Sequence, residues 1–318
     1  MSKLKLEHSP EQKLQHPVFD QAGVEVFVKR DDLLHPDVSG NKWRKLKYNL
    51  ELFYNSNYTG VLSFGGAFSN HLVATAAACA ELEIPCVGIV RGLHVDLEND
   101  SLSRCRSFGM RLIPVEIKVY DQLARISTAN SEVFRNSLSD LADELPNYLA
   151  IPEGGANAFG KQGCAEIVEE FHNEYDLVMC PLGSATTFCG LLSALSEKQK
   201  GIAVAALKGV ELEHVVEQKL DEFAVKPKCE WEVIQEDKFG GFAKINQELI
   251  RFKEDFETHF SIELDYIYTC KMFFHLFDMV KNGQIKRGSR VLCIHTGGLQ
   301  GNSSIKKRYR LKQISVRN

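Results

Sequence analysis

The stretch "SGNKWRKLKYNLE" sets Lys42, Arg44, Lys45 and Lys47 at the start of a segment whose apolar residues Trp43, Leu46, Leu50 and Phe53 have helical spacing. Ser39 is a reasonable cap for that helix. Cations suit a helix C-terminus, and near the N-terminus each costs about 0.3–1 kcal/mol. A lysine directly after Gly-Asn, on the turn that enters a helix, therefore calls for a chemical reason. One is available: a lysine amine made less basic by burial and positive neighbours is nucleophilic near neutral pH.

Three other stretches put small polar residues where a strand hands over to a helix. In "SFGGAFSNHL", two glycines admit a ligand, and backbone N–H groups with the Ser69 hydroxyl would hold a carboxylate or phosphate. The plainer alternative is a Ser69 or Asn70 cap after a tight turn. In "MCPLGSATTFCGLL", Gly183, Ser184, Ala185, Thr186 and Thr187 offer backbone donors and three hydroxyls. This is a phosphate cradle without a lysine, so it is not the nucleoside-triphosphate loop, which needs G-x-x-x-x-G-K-[ST]; a merely polar helix start is the alternative. In "CIHTGGLQG", Thr296 follows a strand and two glycines leave room for a ligand or simply close a turn. His295 has no ligand cluster beside it and is expected to find an ordinary hydrogen-bond partner. "LDYIYTCKMFFHLF" starts a helix at Tyr268 and Thr269, where Tyr268 by pattern alone is an interfacial aromatic.

A phosphate site, a carboxylate site and a lysine on a helix-entry turn together point to a phosphorylated aldehyde. Pyridoxal phosphate (PLP) needs a lysine for its Schiff base and serves amino-acid chemistry as an electron sink. Lys42 is the expected lysine, tolerated at its position because it is not a free cation there.

The elements that must position these residues alternate along the chain. Residues 23–32, 60–66, 85–92, 111–116, 175–184, 201–210 and 289–298 have strand-like apolar runs, mostly closed by glycine and followed by helical patterns. Val24, Val26 and Val28 alternate strictly in the first. The implied fold class is α/β: two domains built on open, twisted, mostly parallel sheets with helices on both faces. One sheet is expected from about residues 46–158, the other from 159–318 with the N-terminal segment 1–45 joining it. Ligands in such folds bind beyond the carboxyl ends of the strands.

Composition agrees and excludes other classes. The 318 residues are 44% apolar and 25% charged, with a net charge of −4, which gives no reason to expect nucleic acid or an anionic membrane as partner. No stretch approaches the ~20 apolar residues of a membrane helix, and the N-terminal residues lack the apolar core of a secretion signal. Nine cysteines are scattered singly without metal-ligand spacing, a pattern expected of a reduced, cytoplasmic, zinc-free protein.

The motifs "VKRDDL…SGNKWRKLKY", "SFGGAFSNH", "IPEGGANAFGKQG", the Gly183–Thr187 loop, "YTCK" and "HTGG" occur in an order that resembles the 1-aminocyclopropane-1-carboxylate (ACC) deaminase/D-cysteine desulfhydrase family of tryptophan-synthase-β-like PLP enzymes. The resemblance runs from about residue 10 to residue 305. It implies a homodimeric enzyme acting on a small amino acid, with a large PLP-binding domain (1–45 and 159–318) and a small mobile domain (46–158). It implies Lys42 as the Schiff-base lysine and proton carrier, Asn70 at the PLP 3′-oxygen and Gly183, Ser184, Ala185, Thr186 and Thr187 at the phosphate. It further implies Thr296 near the pyridine nitrogen, and Ser69 with neighbouring Asn70 and His71 at the substrate carboxylate. Tyr268 would be an active-site tyrosine beside substrate and ring. Thr269 and Thr296 match the desulfhydrase-like pairing, where the deaminase branch has Glu and Leu, and "SNH" in place of "SNQ" leans the same way. The implied reaction is α,β-elimination from D-cysteine giving pyruvate, ammonia and sulfide; the alternatives are ACC deamination, or PLP binding with little turnover. Two positions depart from the family pattern. Phe242, at a substrate-binding position, stands where many members have Tyr, and Cys270 where they have Gly.

Overall fold

A computed structural model describes residues 4–127, 131–206, 211–235, 238–241 and 243–310. Ten strands form two sheets. Strands β1 (Glu11–Leu14), β2 (Glu25–Lys29), β7 (Leu177–Leu182), β8 (Lys200–Ala205), β9 (Glu230–Ile234) and β10 (Arg290–Ile294) form a six-stranded sheet in the order β1-β2-β10-β7-β8-β9. Strands β3 (Gly60–Gly65), β4 (Cys86–Arg91), β5 (Arg111–Val115) and β6 (Tyr148–Ile151) form a four-stranded sheet in the order β5-β4-β3-β6. Every pairing is parallel except β1 with β2. The N-terminal strands join the C-terminal half through β2, whose Val28 lies opposite Cys293 of β10.

The alternation of apolar residues decides which side chain meets which layer. Val26 and Val28 face one side of the larger sheet, with Met179 and Ile202, beneath the helices Gln247–Phe260 and Thr269–Lys281. Phe27, Val178 and Cys180 face the other, beneath the helices Thr186–Ala194 and Leu212–Glu222. The smaller sheet divides likewise, with Val61 and Val90 on one face and Leu62, Phe64, Val87 and Ile89 on the other. Parallel strands buried on both faces must be apolar throughout, which is what the runs in the sequence show. All nine cysteines are buried free thiols. Among the described residues no helix is long and apolar enough to cross a membrane.

The helix Asn41–Tyr54, hereafter the lysine helix, runs from the end of β10 toward β3 and so links the two sheets. Its start differs from the expectation. Gly40, not Ser39, is the capping residue, with φ +63° and no side-chain cap. The cause is close approach: a Cβ on Gly40 would lie 2.0 Å from the carbonyl oxygen of Thr296, which accepts from Asn41 N at 3.3 Å. The helix thus enters across the backbone of β10's end, and a serine hydroxyl has no room to cap it.

A second close approach sets the helix against its neighbour Ala158–Glu169. A Cβ on Gly163 would lie 1.9 Å from the carbonyl oxygen of Arg44. Gly163→Ala must push the helices apart and is expected to cost about 1–3 kcal/mol by overpacking. Urea denaturation checks this, and the same variant should weaken cofactor binding by displacing Lys42 and Lys45.

Candidate active site

The four cations of the lysine helix separate into two pairs. Arg44 is buried and donates to Asp31 at 2.8 and 3.0 Å and to Glu170. Lys47 pairs with Glu166 at 2.6 Å. These partners carry the charge that the helix start leaves exposed to its own dipole. Lys42 and Lys45 lie three residues apart, on the face opposite those pairs, and both line a cavity of about 1170 Å³. Lys42 donates to Asn41 Oδ1 at 2.5 Å, and Lys45 to Ser184 Oγ at 3.2 Å. Neither bond is to a carboxylate. Burial, then the charge of Lys45, brings the Lys42 amine down to about 7 from its ordinary 10.5, with Asp265 opposing. Lys45 is lowered as well, chiefly by burial.

The cradle anticipated at Gly183–Thr187 opens on the same cavity. Ala185 stands at the N-cap of the helix Thr186–Ala194 with φ +59°, and no side chain caps that helix. A left-handed residue here turns successive N–H groups toward one point, forming an anion nest at a positive helix end. Asn41 Nδ2 donates to Thr187 Oγ1 at 3.0 Å and ties the start of the lysine helix to this loop. The loop itself carries no lysine, as read from the sequence. Lys45 supplies the cation from another element, across the Gly163 crossing.

The helix Asn70–Glu81 also begins at the cavity. Ser69 is its N-cap and accepts from Leu72 N at 3.2 Å, so the capping alternative for Ser69 is realised. His71 is buried; its Nε2 lies 3.0 Å from Ser63 Oγ, which donates to the Ile151 carbonyl at 3.0 Å. The histidine therefore donates from Nε2–H and keeps a bare Nδ1. Burial first, then Lys42 and Lys45, lower its basicity to about 3, so it stays neutral. Among the described residues, Asn70 Oδ1 and His71 Nδ1 are buried without a hydrogen-bond partner. The nest and two carboxylate-free lysines fit an anionic aldehyde such as PLP, while the bare Oδ1 and Nδ1 are acceptors that a donor on the bound molecule would satisfy.

Tyr268 borders the cavity with its ring 3.4 Å from where a Cβ of Gly183 would lie, and burial, with the charge of Asp265, pushes its phenol well above the ordinary range. It N-caps the helix Thr269–Lys281. Thr269 does not line the cavity: it is fully buried, its hydroxyl donating to Asp265 Oδ1 at 2.7 Å and accepting from Asp265 N at 2.9 Å. Thr296 does line it. The expected pairing of these two threonines is therefore divided, one in the wall and one behind it. Cys270 is likewise in the core, with Sγ 3.8 Å from the Leu249 carbonyl. His295 is satisfied as expected, with Nε2–H on the Glu263 carbonyl at 2.8 Å and Nδ1 accepting from Gly297 N at 3.2 Å. Phe242 lies outside the described residues. Three contributors escaped the sequence: Lys45, signalled only by its i,i+3 spacing from Lys42; Asn41; and Asp265, an acidic cap ahead of a helix.

The family model described as "Pyridoxal-phosphate dependent enzyme" matches residues 7–297. The chain belongs to that family. Within it, the chain is 32% identical over 296 residues to a Pyrococcus abyssi protein named "Putative 1-aminocyclopropane-1-carboxylate deaminase", covering 88% of this chain and 86% of that one. It is 27% identical over 296 residues to the Arabidopsis thaliana "Bifunctional D-cysteine desulfhydrase/1-aminocyclopropane-1-carboxylate deaminase, mitochondrial", covering 88% and 73%. A crystal structure of an ACC deaminase homologue superposes with a TM-score of 0.76 at 25% identity, covering 96% of this chain and 94% of that one. The protein is thus a PLP-dependent enzyme of the ACC deaminase/D-cysteine desulfhydrase family, with the tryptophan-synthase-β-like fold.

For this PLP enzyme, the lysine pair predicts a measurable pH response. Reductive methylation of Lys42 in the cofactor-free protein, followed by peptide mass spectrometry, should show a midpoint near pH 7 rather than 10.5. Lys45→Met removes a positive neighbour, so the Lys42 midpoint should rise while remaining below 10.5, because burial persists. The same variant should bind PLP about tenfold or more weakly, from the loss of a charge-assisted contact to phosphate.

Proposed function

We propose that the protein is a lyase for a small D-amino acid with a thiol on its β-carbon: D-cysteine and water give pyruvate, ammonia and sulfide. The observation that carries the choice is Thr296, a neutral hydroxyl lining the cavity at the end of β10, while Thr269 is turned onto Asp265. A threonine hydroxyl there does not protonate a pyridine nitrogen as a carboxylic acid neighbour can. It suits expulsion of a stable thiolate better than opening of a cyclopropane ring, which needs a stronger electron sink.

Bound PLP supplies an aldehyde for the Lys42 amine and an electron sink for charge left at the substrate α-carbon. The chain's own residues do the rest. Lys42, whose amine is brought down to about 7, would take the α-proton of a bound substrate. Ser69 and the first N–H groups of the Asn70 helix receive the substrate carboxylate, as at any helix N-terminus. Lys45 and Gly183–Thr187 hold the phosphate, Asn70 meets the ring oxygen, and neutral His71 offers an acceptor beside the lysines. Tyr268, kept protonated, stands as a donor at the cavity wall. The same reading takes residues 46–158 as a small mobile domain of a cytoplasmic homodimer. The ion pair Lys307–Asp100, at 2.6 Å, joins two segments that line the cavity and would have to open with it.

ACC deamination is the second reading, favoured by the names of the relatives. Purified holoenzyme incubated with D-cysteine and with ACC separates them, the first yielding sulfide and pyruvate, the second 2-oxobutanoate and ammonia. Sulfide release is the expected result. ACC turnover without sulfide overturns the first reading, and an absorption band that responds to no amino acid leaves a PLP-binding protein with little turnover. Lys42→Ala should lower kcat by about 10³-fold, and borohydride should no longer fix the cofactor to the chain.

A further inference from the structure

Asp265 lies four residues ahead of Thr269 and is 3% exposed. Its carboxylate accepts four hydrogen bonds: Ile267 N at 2.9 Å and Tyr268 N at 2.8 Å on Oδ2, and Thr269 N at 2.8 Å and Thr269 Oγ1 at 2.7 Å on Oδ1. Four donors on one buried carboxylate hold it rigid. The three residues so gathered form the turn that carries Tyr268, whose backbone is fixed at φ −114°, ψ −71°. Behind Gly298 of the cavity wall, Asp265 Cγ is 3.9 Å from where that glycine's Cβ would be. Its charge reaches Lys42 from a different element than Lys45, the like charge on the lysine helix, and than Cys164, the weaker acid from the Ala158 helix.

We propose that Asp265 is the positioning residue of this site: its carboxylate seats the Tyr268 backbone against Gly183 and sets a negative charge behind the Gly298 wall of the cavity that Lys42 lines. An ordinary helix cap has one or two backbone donors and faces solvent. This one is sealed behind the cavity wall and takes the backbone N–H groups of Ile267, Tyr268 and Thr269, so the Tyr268 backbone cannot move without breaking charge-assisted bonds. It also sets a limit on the lysine pair. Lys45 lowers the Lys42 amine, and the Asp265 carboxylate opposes that lowering. The inference rests on reading the cavity as the PLP site, and the test keeps the two separable.

Asp265→Asn is made in the native chain and in Tyr268→Ala. The affinity for PLP is read by its absorption band, and the pH midpoint of Lys42 by reductive methylation of the cofactor-free protein. Asp265→Asn is expected to weaken PLP binding about tenfold in the native chain and less than about twofold when Tyr268 is already gone, the non-additivity of residues acting through one another. It is also expected to lower the Lys42 midpoint, since the cation loses its negative neighbour. A weakening by the same factor in both backgrounds, or an unmoved midpoint, overturns the proposal. Should Asp265→Asn lose its far-ultraviolet dichroism, Thr269→Val removes one donor and leaves the charge; the same cycle with Tyr268→Ala then decides by coupling alone. A native chain that takes up no PLP refutes the functional reading, while the methylation midpoints still decide for or against Asp265.

Discussion

Two lysine amines on one helix face, one turn apart, lining one cavity and without a carboxylate bond, are the constraint on which the site depends. Desolvating a cation is costly, and a lysine resolves the cost by giving up its proton. Lys42 does so close to neutrality, where a neutral amine both attacks a carbonyl carbon and accepts a proton. Lys45, in the same surroundings, has Ser184 and the anion nest before it. A phosphate there would restore to Lys45 the negative partner that the protein withholds. Cofactor binding and lysine reactivity are therefore two sides of one electrostatic arrangement.

The opposite face of the same helix is what makes that arrangement tolerable. Arg44 with Asp31 and Glu170, Lys29 with Glu170, and Lys47 with Glu166 fix the helix by ion pairs, several of them largely buried. Removing one partner from such a cluster leaves an uncompensated charge, typically a loss of about 3–5 kcal/mol where burial is complete. Burial works against the Arg44 charge, but the Asp31 and Glu170 carboxylates outweigh it and hold Arg44 well above its usual range, so Arg44 does not titrate near neutrality. One helix thus presents permanent charge behind and adjustable charge in front. Packing against the Ala158–Glu169 helix through Gly163 holds the two faces to their tasks.

Much of this was legible in the sequence. Apolar runs closed by glycine gave correct strands at β2, β3, β4, β5, β7, β8 and β10, because parallel strands buried on both faces have few other compositions. Lys42, the Asn70 helix and the Gly183–Thr187 loop were recognisable because helix starts and glycine turns are local. Contacts between elements were not. The Ser39 cap failed because the carbonyl of Thr296, over 250 residues away, occupies the space beside Gly40. Lys45 was invisible for the same reason: only the helix crossing carries its amine to Ser184. Thr269 could not be placed from its motif, because its hydroxyl turns onto Asp265 and a residue's place in a motif does not reveal which way it faces.

The convergence of strand ends explains why the cavity is shared between sheets. Thr296 and Gly183 follow β10 and β7 of the larger sheet, Ser69 follows β3 of the smaller, and the lysine helix begins against the first group and ends before the second. An anchored phosphate needs the rigid larger sheet, where the nest, Lys45 and Tyr268 meet. A substrate that must enter, lose a proton and leave is better held from the other side, by a helix start that can separate from the lysine. On the proposed function, the strand ends of the larger sheet would hold the phosphate and the helix start after β3 the substrate carboxylate.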